Sequence, residues 1–276
     1  MSEEETREQV EEVMLTSAVP TEEPTPDPEV RRIGSMPIVR PTIDDFYLKL
    51  LIYGKTGVGK TTLAATANVC PVTRPALLVS VDPGTLSLAT FDWRPDTVHL
   101  TRYSQLGEVF QYLQTPGQPY RTVIIDSISE LQFVNLDAIV RARVGDAKAR
   151  ADNEIYLEDY GDSTRQIRRA VRFFRDLPMH VIFTAAEIIF AKEETIAPAL
   201  TAKLRTAVLN YMDVVGYLQI SVTNPPPPAQ PKLVRRLITQ PYGKWDAKDR
   251  SPGGRLGLFV DSPTIGRIMD LIRDKK

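Results

Sequence analysis

Four short runs along the chain, residues 47–53, 76–81, 122–126 and 180–185, are apolar at nearly every position and rich in β-branched residues. A strand covered on both faces reads this way, whereas a strand open to water on one side alternates. The stretches between them have helical periodicity, clearest over 163–177. There Ile167, Ala170, Val171 and Phe174 share one side, and Arg165, Arg168, Arg169 and Arg172 share another. Strands alternating with helices predict an α/β fold with a mostly parallel central sheet flanked by helices. Two later runs, 214–222 and 232–239, flank the proline-rich stretch 224–231. They predict a C-terminal antiparallel hairpin extension closed by a stiff loop. Residues 262–276 read as a closing helix, with Ser262 as its cap and Pro263 in its first position.

Composition narrows the class. A chain of 276 residues that is 42% hydrophobic and 25% charged can bury a sizeable core, which excludes fibrous, collagenous and wholly disordered proteins. With Cys70 as the single cysteine there is no disulfide framework and no zinc ligand set. No apolar run reaches the roughly 18 residues that span a bilayer, so no membrane partner is expected. Charge is uneven. The first thirty residues place Arg7 alone against ten acids, together with Pro20, Pro24, Pro26 and Pro28. Such a segment buries too little apolar surface to offset the entropy of ordering. Residues 1–40 are therefore expected to form an acidic, proline-containing disordered tail, with one domain over 41–276. That tail either keeps the chain soluble or competes with an acidic polymer for the basic remainder. The N-terminus has no basic and apolar leader, so a soluble cytoplasmic protein is expected.

The chemistry concentrates at 54–62, where Gly54, Lys55, Thr56, Gly57, Val58, Gly59, Lys60, Thr61 and Thr62 complete the pattern of a phosphate-binding P-loop. An apolar strand precedes it and a helical stretch follows. Glycines let the backbone amides curl around phosphate oxygens, and the helix N-terminus adds its dipole. Lys60 would reach the β- and γ-phosphates of ATP, and the Thr61 hydroxyl would coordinate Mg2+. A second apolar run ends in Asp126, placed to hold the magnesium from a neighbouring strand. Because Ser127 follows it, the group that orients the attacking water is sought elsewhere. Asp82, at the end of the run 76–81, is the candidate, since parallel sheets present ligands at their C-terminal edge.

In their order, these elements resemble the RecA-like recombinase core, and most closely the short RecA-core ATPases of bacteriophages that act in single-strand annealing and recombination. The likeness covers about 47–275 and rests on 54–62, 81–84, 124–127, 181–187, 198–205 and 247–253. It implies an ATPase that works on single-stranded DNA as a homo-oligomeric ring or filament. Asp82 stands where that family usually has a glutamate. Ala186 stands where relatives often carry a histidine that senses the γ-phosphate, leaving Thr184 or Glu187 to substitute. Lys248 and Arg250 resemble the pair that a RecA-like subunit inserts into its neighbour's site, where they neutralise the transferring phosphoryl group. The resemblance implies DNA contacts from two loops, 141–161 with Arg141, Arg143, Lys148 and Arg150, and 187–199 with Lys192.

Two other readings fit part of the pattern. Lys55 and the sequence Val81-Asp82-Pro83 suit a partition-type ATPase switch, although Thr56 replaces a glycine of that loop and the Lys248-Asp249-Arg250 element has no place there. The altered residue at 186 suits a nucleotide-binding scaffold that has lost turnover. Trp93 and Trp245 are expected to pack rather than stack on bases, and neither His99 nor His180 has partners for a catalytic triad.

Overall fold

The computed structural model describes residues 31–273, apart from 41, 44–45, 83, 144–153, 193 and 224–231. The acidic segment 1–30, the proline loop, Lys148 and Arg150 all lie outside the described residues. Within 31–40 there is a short exposed antiparallel pair, β1 (Arg32–Ile33) and β2 (Met36–Pro37). The chain continues through β3 (Lys49–Tyr53), α1 (Lys60–Ala65), β4 (Ala76–Ser80), β5 (Asp96–His99) and α2 (Gln105–Gln114). Next come β6 (Thr122–Asp126), α3 (Ile128–Arg143), α4 (Leu157–Asp176), β7 (His180–Ala185), β8 (Glu187–Phe190) and β9 (Thr195–Pro198). The last part contains α5 (Ala202–Tyr211), β10 (Val214–Thr223), β11 (Lys232–Ile238), β12 (Lys248–Asp249), β13 (Phe259–Asp261) and α6 (Ile265–Arg273).

Nine strands make the central sheet, in the order β13-β11-β10-β3-β7-β6-β4-β5, with β12 also paired to β10. From β10 to β5 every pairing is parallel; β11, β12 and β13 are antiparallel additions. The expected hairpin is the β10–β11 pair, with Tyr217 opposite Ile238. Strands β3, β4, β6 and β7 are buried at every position, which is why their sequences show no alternation.

Successive residues of these strands feed two cores. Leu51, Val123, Ile125, Val181 and Phe183 face α2, α3, α4 and α5 through Phe110, Leu131, Ile167, Phe174 and Leu204. Leu50, Ile52, Ile124 and Ile182 face the other way, onto Leu63 of α1 and Ile268, Met269 and Ile272 of α6. Helices on both faces let parallel strands sit fully buried. Among the described residues no helix is long and apolar enough to cross a membrane.

Two expectations change. The closing helix begins at Ile265, and its cap is Thr264, whose Oγ1 accepts the Arg267 amide at 3.0 Å; Ser262 instead lies in the left-handed region at φ 46°. Residues 187–199, expected as a loop, contain the antiparallel β8–β9 pair, because Glu187 to Phe190 finds an apolar partner strand in Thr195 to Pro198.

Candidate active site

Strand β3 ends at Tyr53, and the chain turns through 54–59 before α1 begins at Lys60. Two glycines are required, Gly54 by contact with backbone and Gly59 by its left-handed φ. A Cβ on Gly54 would run into the Leu218 carbonyl oxygen on β10, and one on Gly59, at φ 101°, would sit 2.7 Å from Nε of Arg235. The Lys60 ammonium folds over the loop, donating to the carbonyls of Gly54 and Lys55 at 2.9 Å each. Burial lowers the pKa of this amine, against the opposing pull of Asp126, Asp82 and Glu187.

The neighbouring strands bring oxygens to the same edge. Asp126, at the end of β6, is 4% exposed; Thr61 donates to its Oδ2 at 2.8 Å, and Thr184 on β7 donates to its Oδ1. Asp82 follows β4, and its amide and that of Val81 lean on the Asp126 carbonyl. Ser127 donates to Asp82 Oδ2 at 3.1 Å, and its Oγ in turn accepts the Glu130 amide at 3.2 Å. Burial pushes the Asp82 carboxyl above its usual range, Ser127 pulls it back, and Asp126 pushes it further. Glu130, in the first turn of α3, is also raised, by burial and by Asp82. Past the end of β7, Glu187 accepts a hydrogen bond from the Tyr217 hydroxyl at 2.9 Å.

Thr61 and Asp126 suit magnesium chemically. One hydroxyl and one carboxylate are hard oxygen donors, and Mg2+ usually takes few protein ligands while keeping water and phosphate oxygens. The described residues contain no cluster of three or more His, Cys, Asp or Glu that would favour a protein-caged metal instead.

Of the residues expected at the site, 54–62, Asp82 and Asp126 converge; Lys248 and Arg250, expected in a neighbouring copy's site, lie elsewhere in their own chain. Asp249 lies opposite Val214, so Arg250, exposed beside Asp213, lies at the sheet edge away from the loop of its own chain. Lys248 is committed locally. Its ammonium donates to the carbonyls of Leu209, Asn210 and Met212 at 2.7, 3.2 and 2.6 Å, closing the end of α5, and burial lowers its pKa to about 8. The segment 141–161, expected as a DNA-contacting loop, is helical at both ends: Arg141 and Arg143 close α3, and 157–161 open α4. Arg143 is tied to Asp159 and Asp162, and Arg141 pairs with Asp137 at 2.9 Å.

Four site residues escaped the sequence reading. Ser127 and Glu130 had a usable signal, since they directly follow Asp126, where the chain leaves β6 and enters α3. Tyr217 and Arg235 had none. Arg235 reaches across from β11 to donate to the Val58 carbonyl at 2.9 Å, a contact 177 residues distant in sequence.

A parallel sheet with a glycine-lined phosphate loop, the hydroxyl that follows it and a buried strand-end carboxylate defines a P-loop nucleotide-binding ATPase domain. Its mostly parallel strands with flanking helices are of RecA-like form. The AAA_24 family of AAA domains matches residues 47–251, and the chain belongs to that family. No curated protein matches the chain. Among solved structures, the flagellar accessory protein FlaH from Methanocaldococcus jannaschii is similar at TM-score 0.41 and 14% identity, over 81% of this chain and 91% of that one.

Proposed function

We propose that this chain is a magnesium-dependent ATPase that acts on single-stranded DNA, in recombination or strand annealing, as a homo-oligomeric ring or filament. The ATPase reading is carried by one observation: Lys60, Thr61, Asp126 and Asp82 meet at a single sheet edge although 66 positions separate the first from the third. The loop amides and Lys60 would hold the β- and γ-phosphates. Thr61 and Asp126 would hold the metal, which when bound neutralises charge between those phosphates.

Asp82 would orient a water molecule in line with the γ-phosphorus and take its proton. The water oxygen bonds to phosphorus as the bond to the bridging oxygen breaks, leaving ADP and inorganic phosphate. A carboxyl raised by burial is a better proton acceptor than a free one. Arg250 of a neighbouring copy would complete the charge neutralisation, a role supported by its exposure and by its distance from its own loop. Lys248, held by three carbonyls, would keep that strand in place.

The DNA and recombination parts rest on the ordered likeness to RecA-core ATPases. ATP turnover measured with and without a single-stranded oligonucleotide tests the whole. Turnover in the wild type that rises with DNA and is lost in Lys60→Ala is the expected result. Equal turnover in that variant would remove the site, and turnover indifferent to DNA would remove the nucleic-acid reading alone.

A further inference from the structure

The arginine face of α4 has a partner-sized groove beside it. Arg165, Arg168, Arg169 and Arg172 line a depression of about 580 Å³ together with Gln166, Asp162 and Tyr211, the last residue of α5. Four cationic groups face one carboxylate there, and that carboxylate, Asp162, is already paired with Arg143 as well as Arg165. Arg165 and Arg172 keep 72% and 64% of their side-chain surface in water. The helix beneath them cannot shift easily, because Ile167, Ala170, Val171 and Phe174 on its inner side are at most 1% exposed. The result is a fixed cationic stripe. From Arg165 to Arg172 it extends about 10 Å along the helix axis at 1.5 Å per residue.

We infer that this groove between α4 and α5 docks the phosphate backbone of single-stranded nucleic acid, through residues other than those the resemblance implies at 141–161 and 187–199. Planar guanidinium forks match phosphate oxygens in pairs, which lysine does not do. Arg172 and Asp176 pair across 3.9 Å at an exposed surface, a weak competitor for phosphate, whereas Arg165 shares Asp162 with Arg143. Tyr211 walls the groove, half-buried against the core with the Arg175 guanidinium 4.7 Å from its ring centroid, so the groove grips the backbone and reads no base. This proposal rests on the nucleic-acid reading above and gives it a location.

The test uses the full chain and a fluorescent oligothymidylate, with anisotropy followed across a salt series. Arg165→Ala, Arg168→Ala and Arg172→Ala combined should weaken binding at least tenfold. The slope of log affinity against log salt should fall by about two. ATP turnover without DNA should be unchanged, because these side chains lie outside the phosphate site. Undiminished binding by the variant overturns the groove and leaves the nucleic-acid reading standing. Failure of the wild type to bind overturns both. Competition by polyglutamate as effective as that by unlabelled oligonucleotide, at equal charge, overturns the assignment in favour of an acidic peptide such as the chain's own first thirty residues.

Discussion

In the proposed mechanism, Asp82 is the residue whose environment most directly sets the rate. Its carboxyl is held above the ordinary aspartate range by burial and by Asp126, while Ser127 limits the rise. A general base works only when deprotonated, so turnover should climb with pH through a value above that ordinary range. Asp82→Asn should lower kcat by roughly 10²–10⁴-fold and flatten this limb of the pH profile, leaving ATP affinity nearly intact. His180 sets stability instead. Its Nδ1 accepts the Leu48 amide at 3.0 Å, and burial lowers its pKa from 6.5 to about 4. Between these values the unfolded chain binds a proton that the folded chain refuses, so stability is lost as pH falls from about 6.5 to about 4. Urea midpoints over this interval should drop for the wild type. The same series for His180→Asn should lack this contribution.

Helix α4 presents a buried apolar side and an exposed arginine side. Phe174 is fully buried against Phe110, at a centroid separation of 5.3 Å, so Phe174→Ala should cost about 3–5 kcal/mol through lost transfer energy and a cavity. Arg168→Ala on the outer side should change stability by less than about 0.5 kcal/mol. Denaturant unfolding of the two variants side by side checks the contrast; equal losses would mean the arginine face is structural. The end of α5 makes a different prediction. Lys248→Met leaves three carbonyls short of a donor and should destabilise by about 1–3 kcal/mol, read as a lowered Tm. A variant as stable as the wild type would free Lys248 for a role in a neighbour.

The proposed assembly makes one prediction for the whole molecule. Lys60→Ala lacks a phosphate grip but keeps Arg250, whereas Arg250→Ala keeps its own site and lacks what it would lend. Each alone should be inactive, and mixing them should restore part of the turnover as shared interfaces pair an intact loop with an intact arginine. Titrating one variant against the other in an ATPase assay reads this directly. A mixture no more active than its components would mean that each chain works alone.

Much of this was legible without coordinates, for reasons that differ by residue. The loop from Gly54 to Thr62 is a local device whose amides, glycines and lysine act within nine consecutive positions, so sequence order is its geometry. The runs ending at Tyr53, Asp126 and Ala185 announced themselves because burial on both faces removes polar positions altogether. The β8–β9 pair was hidden since its partner is four residues away and half its surface stays wet, leaving no strong pattern. Lys248 and Arg250 are adjacent but for one residue, yet strand pairing gives one of them a triple cap on α5 and leaves the other in solvent. Arg235 touching Val58, Tyr217 holding Glu187 and the groove between α4 and Tyr211 were decided by tertiary structure alone. Each joins groups from strands or helices whose spacing in the chain carries no information about their distance in space, because packing of the sheet and its two helical layers sets that distance.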